Sequence, residues 1–138
     1  MKTIKSIAIV LVVTVALSAC AKKMSFLPST IVPAATGQVD VKKDKNSNYG
    51  ITVNVLNLAS PKRLDPPKDT YVVWMETDRT AAKKVGQIST ATGLFSKALK
   101  GSLSTTSVTE PTRIFITAED NIDVQYPTGQ VVLTTQER

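Results

Sequence analysis

The sequence predicts an all-β protein, an immunoglobulin-like antiparallel sandwich of about seven short strands. Three observations predict it. Stretches that alternate apolar and polar residues recur along the chain, as in "QVDVKK", "YGITVNVLNL" and "TRIFITAE". Clusters rich in Pro, Gly, Asn and Asp separate them, among them "DKNSN" and "SPKRLDPPKD". Almost no stretch carries a convincing helical period.

The opening "MKTIKSIAIVLVVTVALSAC" reads differently from everything after it. Lys2 and Lys5 precede an apolar run from Ile7 to Leu17 broken only by Thr14, and small residues follow, which is the order of a secretory signal. The run is well short of the roughly 20 apolar residues that a spanning helix needs. Residues 1–19 are therefore expected to be a signal peptide, residues 20–36 a lipidated cysteine and tether, and residues 37–138 the β-sandwich domain. The tether, "AKKMSFLPSTIVPAAT", lacks periodicity and holds two prolines, and its latter half is apolar enough to lie against the domain.

Within the domain, "QVDVKK" and "YGITVNVLNL" form an antiparallel pair around the "DKNSN" turn. The loop "SPKRLDPPKD" follows, because three prolines withhold ladder donors and fix the backbone angle. "TYVVWMET" is apolar on both faces, with Tyr71, Val73 and Met75 on one side and Val72 and Trp74 on the other, so it belongs at the centre of a sheet. "KKVGQIS", "TRIFITAE" and "PTGQVVLTT" supply further strands, the last opened by a turn. "TGLFSKALKG" places Leu94, Phe95, Ala98 and Leu99 at helical spacing, but it also alternates through Ser96, Ala98 and Lys100 and is assigned to a strand.

Composition bounds the chemistry. The chain has no histidine and one cysteine, which excludes His-based hydrolysis, His-based acid/base catalysis and zinc sites of the H-E-x-x-H kind. With Cys20 committed to lipid, thiolate metal sites and disulfides go as well. After loss of residues 1–19, which carry Lys2 and Lys5, 119 residues remain with a net charge of +4. The basic residues are scattered, so nucleic acid is not an expected partner. No cofactor is expected.

The stretch "LSAC" resembles the lipobox of bacterial lipoproteins. The resemblance implies that Leu17, Ser18 and Ala19 are the processing signal and that Cys20 accepts a diacylglyceryl group. Two or three acyl chains hold a protein to a membrane almost permanently, whereas one does so marginally. The plainer alternative is an ordinary cleaved signal with Cys20 as its last residue. Ala21 rather than Asp follows the cysteine, which in two-membrane bacteria directs the protein to the outer membrane, and Lys22 and Lys23 stand where headgroups are within reach.

Further along, "YVVWMETDRTAAKKVGQI", "LFSKALKGSL", "TRIFITAED" and "YPTGQVVLTT" follow one another in an order that resembles the extracytoplasmic C-terminal domain of anti-sigma-K factors. The matching positions include Tyr71, Trp74, Gly86, Thr117, Glu119, Pro127, Thr128, Gly129 and Val131 to Leu133. The resemblance implies the sandwich fold and an envelope-facing sensing or docking role. It does not carry sigma-factor inhibition, because the cytoplasmic sigma-binding segment of that family has no counterpart here. After Glu119 the chain also departs from the family, running into "DNIDVQ" where the family has Pro and a Gly-rich turn.

Candidate site residues are few. Glu119, Asp120 and Asp123 form an acidic cluster whose oxygens suit Ca²⁺, but they make no EF-hand and loop carboxylates ordinarily face water, so no metal is assigned. Tyr49, Phe95 and Tyr126 lie at or near turns, where rings clasp a sugar or a partner, or fill the ends of the sandwich. Trp74 is read as a packing residue. The expected function is a non-enzymatic, membrane-tethered binding module of the cell envelope, with another envelope protein or a glycan as partner. A structural lipoprotein and a small carboxylate-dependent hydrolase are the alternatives.

Overall fold

The computed structural model describes residues 21–89, 91–92 and 99–137. Nine strands are described: β1 (Ala21–Ser25), β2 (Thr36–Lys43), β3 (Tyr49–Leu56), β4 (Thr70–Thr77), β5 (Thr80–Ile88), β6 (Ala91–Thr92), β7 (Leu99–Ser107), β8 (Arg113–Glu119) and β9 (Val131–Thr134). One sheet has the order β1-β2-β3-β7-β6 and the other β5-β4-β8-β9, all neighbours antiparallel. With β1 set aside, these orders are the A-B-E-D and C′-C-F-G sheets of an immunoglobulin-like sandwich. The expected fold is the observed one. The two strands beyond the expected number are β1 and the two-residue β6.

The period-2 pattern builds the core. Val39 and Val41 of β2, Ile51, Val53 and Val55 of β3, and Ile114 and Ile116 of β8 all point inward and are buried. Each such side chain contributes about 1.5 to 3 kcal/mol when fully withdrawn from water. Strand β4 is buried on both faces, as its sequence requires. Tyr71, Val73 and Met75 enter the core between the sheets, while Val72 and Trp74 join Phe115 in a second cluster on the outer face. Ile122 and Val124, from the loop that follows β8, cover that cluster.

The three-proline segment is a loop, as expected, with one short 3₁₀ turn at Pro61–Arg63. It is tied down by Leu58 and Leu64, which are buried, and by the Tyr71 hydroxyl, which donates to the Ala59 carbonyl at 2.7 Å. Burial pushes the Tyr71 phenol up to about 12. Strand β5 is an edge, and its two register irregularities against β4 together with Lys83 and Lys84 blunt it against further pairing.

The expected tether over residues 20–36 is corrected by the structure. Ala21–Ser25 pairs with β2 over five residues, from Ala21↔Lys42 to Ser25↔Gln38, and Met24 is only 3% exposed. The chain then changes sheets. Phe26 donates to the Gly37 carbonyl, and Leu27 donates to the Thr134 carbonyl at 2.9 Å, so the N-terminal segment leaves the edge of the first sheet and caps the end of β9. The Ser29 hydroxyl accepts from Ile31 and Val32, closing a turn that directs Val32 and Ala35 into the core. The segment lacks a periodic signature because β1 buries one side chain only, and a single buried position defines no period.

Of the stretch "TGLFSKALKG", residues 93–98 lie outside the described residues, and Leu99–Ser107 is strand. Gly101 is required by close approach: a Cβ there would run into Ile88 and Val55.

Candidate functional site

The connections divide between the two ends of the sandwich. The β2–β3 turn, the β4–β5 turn and the β7–β8 connection lie at one end, and the β3–β4 loop and the β8–β9 loop lie at the other. The latter end is where variable-type immunoglobulin domains carry two of their binding loops.

The β8–β9 loop, residues 120–130, is held by Glu119. Thr117 donates its hydroxyl to Glu119 Oε1 at 2.6 Å, the Thr128 amide donates to the same oxygen at 3.0 Å, and the Thr128 hydroxyl donates to Oε2 at 2.6 Å. The Gly129 amide also donates to this carboxylate. Burial by itself raises the Glu119 pKa, but the donors from Thr117, Thr128 and Gly129 outweigh it and hold the group below the usual carboxylate range. Two further contacts fasten the loop: Lys84 donates to the Ile122 carbonyl at 2.8 Å, and Lys68 pairs with Asp120 at 2.9 Å. Pro127 and Gly129 serve the return turn. Gly129 lies so close to the Ala118 carbonyl that any Cβ would overlap it.

The acidic cluster expected from the sequence is therefore not one surface. Glu119 is 1% exposed and sits inside, a correction to its placement on a ligand or partner surface. The reason is geometric: it is the last residue of β8, and the returning loop closes over its carboxylate. With four donors converging on it and no access to solvent, it is not free to act as a surface base or a cation ligand. Asp120 is exposed and paired with Lys68, and Asp123 is exposed in an Asx turn in which its amide donates to Asn121 Oδ1. Among the described residues no group of three acidic or cysteine side chains is close enough to hold a metal ion.

Tyr126 projects from the loop, 74% exposed, beside Gln125 and Asp123. Tyr49 is at the opposite end of the sandwich, half-buried against the core, with the Lys43 ammonium 5.6 Å from its ring centre. The two tyrosines thus belong to different surfaces. Trp74 is fully buried, as a packing residue should be, and its indole N–H donates to Thr117 Oγ1 at 2.8 Å. Cys20, Leu17, Ser18, Ala19 and Phe95 lie outside the described residues.

One feature of the surface escapes the sequence reading. On the outer face of the first sheet a trough of about 590 Å³ runs across β2, β3 and β7. Its floor is the backbone of Gly37, Val55 and Gly101, and its walls are the cross-strand rows Thr36–Leu56–Lys100 and Gln38–Asn54–Ser102. Ser102 donates to Asn54 Oδ1 at 3.0 Å, and Thr52 and Ser104 are 3.3 Å apart one step further along. Leu56, 44% exposed, is the apolar member. The sequence signal is the alternation of Ser102, Ser104 and Thr106 along one face of β7. Compared with known proteins, the chain matches no family model, no curated protein and no solved structure.

Proposed function

We propose that the chain is a lipid-anchored lipoprotein of the bacterial cell envelope, on the outer membrane of a two-membrane host, whose sandwich acts as a non-enzymatic binding module. The observation that carries this reading is the adjacency of Cys20 to Ala21, the first residue of β1: the residue that the lipobox resemblance marks for acylation directly precedes the first strand of the domain. The binding part of the reading is supported by the end of the sandwich remote from that point, where a loop pinned by Glu119 displays Tyr126, and by the trough on the outer face of the first sheet. A rigid scaffold presenting polar and aromatic groups on its loops suits recognition of another envelope protein or a glycan. In this reading the sandwich does the extracytoplasmic sensing or docking that its resemblance to anti-sigma-K factors implies.

Two measurements test it. The mass of the mature N-terminus should correspond to an acylated Cys20, and the protein should stay with membranes at high salt, because acyl burial is hydrophobic and salt screens only charge. A free thiol, or cleavage at another residue, overturns the anchor. A photo-crosslinking residue at Tyr126 should give one defined adduct in intact envelopes. If it gives none, the module reading yields to that of a structural lipoprotein.

A further inference from the structure

We infer that the corner of the sandwich formed by the start of β1 and the β2–β3 turn is a docking surface for an anionic phospholipid membrane, so that the protein stands end-on with residues 120–130 facing away. The inference rests on the reading of Cys20 as the lipid attachment point. Consecutive Cα atoms are about 3.8 Å apart, so a lipid on Cys20 is joined to the folded sheet with almost no leash. Ala21 pairs with Lys42, near the C-terminal end of β2, which places the attachment beside the β2–β3 turn and at the end opposite the β8–β9 loop.

That corner is basic. Lys22, Lys23, Lys42, Lys43 and Lys45 lie in it, against the carboxylates of Asp40, Asp44 and Glu110. All three carboxylates are engaged within the protein. Glu110 pairs with Lys22, Asp40 lies 3.9 Å from Lys23, and Asp44 Oδ1 accepts from the Asn46 and Asn48 amides, which shapes the turn. Lys42, Lys43 and Lys45 are exposed, and none of them enters an ion pair among the described residues. Beneath the second sheet at the same end, away from the attachment point, the charges are mixed: Glu76, Asp78 and Glu137 lie beside Arg79, and Arg113 neutralises Glu76, so no net basic charge gathers there. The end is thus polarised, with its excess of positive charge at the anchor and mixed charge across from it.

Three exposed lysines alone bind a membrane weakly and reversibly. Once a lipid holds the domain at the surface the same contacts become intramolecular, and a weak attraction is then enough to select one orientation from many. A negative surface draws the β1–β3 corner down, and no other part of that end offers it a comparable excess of positive charge. The 120–130 loop, with Tyr126, is left at the top of the molecule, separated from the membrane by the eight-residue length of β3, about 25 Å.

The test uses the mature, lipidated protein. Cys20 is the only cysteine and in the lipidated protein its sulfur is taken up in a thioether, so a cysteine introduced elsewhere is the one free thiol for a fluorophore. Asn46→Cys and Tyr126→Cys proteins are labelled and placed in phosphatidylglycerol–phosphatidylethanolamine vesicles doped with a nitroxide-headgroup lipid. Quenching at position 46 should exceed that at position 126 by about threefold or more, and the contrast should fall toward unity in the Lys42→Glu/Lys43→Glu/Lys45→Glu variant and in phosphatidylcholine vesicles. Equal quenching at the two positions, stronger quenching at 126, or a contrast that the triple variant leaves intact overturns the inference. The N-terminal mass of the same preparation separates the two readings. An acylated Cys20 with equal quenching removes the orientation alone, whereas a free thiol with no vesicle association removes the anchor and the orientation with it.

Discussion

The Trp74 indole N–H donates to the Thr117 hydroxyl at 2.8 Å, and the single proton of that hydroxyl goes on to Glu119 Oε1 at 2.6 Å. An indole only donates, so the hydroxyl proton is free to be given away, and the carboxylate at the end of the relay is the acceptor that every other group in it needs. The relay joins two things that the sequence keeps apart: the apolar cluster on the outer face of β4 and β8, and the loop that covers it. No buried side-chain polar atom is left without a partner among the described residues. A network satisfied in this way orders its surroundings, and loss of one member strands the others.

Thr117→Val tests the relay with little change of shape. It leaves the Trp74 N–H without an acceptor and takes a donor from Glu119, both in buried positions. An unsatisfied buried donor costs about 1 to 3 kcal/mol, and more where a charge is involved, so a loss of about 2 to 3 kcal/mol is expected from urea unfolding with an unchanged slope. The emission of Trp74, the only tryptophan, should shift in the folded protein as well. A loss of less than about 0.5 kcal/mol would mean that the relay contributes no net stability.

Glu119 makes the fold sensitive to acid. Its folded pKa is held below the unfolded value of 4.5, so its contribution is present above that value and disappears as pH falls through the folded pKa. Glu119→Gln should flatten the stability profile in that acid range and lower stability at neutral pH by roughly 2 kcal/mol. With its NH₂ in the place of Oε1 the amide meets the Thr128 backbone N–H, and with its NH₂ in the place of Oε2 it takes away the acceptor of the Thr128 hydroxyl. A variant with the wild-type acid profile would show that another carboxylate governs it.

Tyr71 acts at the other extreme. Its phenol is pushed up to about 12 by burial, so its contribution is complete below the unfolded value of 10.0 and is lost as pH rises from there through 12. A shift of that size corresponds to about 2 to 3 kcal/mol across the window. Tyr71→Phe should remove this alkaline dependence and, by deleting the hydrogen bond to Ala59, cost about 1 kcal/mol at neutral pH. Stability followed from pH 9 to 12 by circular dichroism in both proteins gives the comparison, and parallel curves would rule the role out.

The two-sided apolar texture of β4 was legible because a central strand with a covered outer face repeats no polar position, and Trp74 sits where that texture put it. Strands β2 and β3 were legible for the opposite reason, since one solvated face imposes alternation. Glu119 was not legible. Its neighbours Asp120 and Asp123 are ordinary loop acids, and nothing in the local sequence says that residues 128 and 129 fold back to donate to the first of the three. Tyr49 and Tyr126 read as one kind of residue but lie at opposite ends, because the turns that hold them alternate between ends of the sandwich. The trough on the first sheet lies between the rows Thr36–Leu56–Lys100 and Gln38–Asn54–Ser102, a register known only once β2, β3 and β7 are paired.

Strand β1 is the sharpest departure from the sequence reading, and Met24 tests it. In an extended tether a methionine would touch little, and Met24→Ala would leave stability unchanged. In the structure Met24 pairs with Val39, is buried in the core between the sheets, and is the only residue of β1 that is. Removal of a buried Met side chain costs about 2 to 5 kcal/mol, and because an edge strand is able to settle inward over the gap, the lower part of that range, about 2 to 3 kcal/mol, is expected. Leu27→Ala provides the internal comparison: Leu27 contributes its amide to Thr134 but keeps an exposed side chain, so its truncation should cost under about 0.5 kcal/mol. A large loss at Met24 beside a negligible one at Leu27 places β1 in the cooperative unit through its one buried side chain. Equal, negligible losses would return residues 21–25 to the role of a tether and would give a lipid on Cys20 a flexible leash.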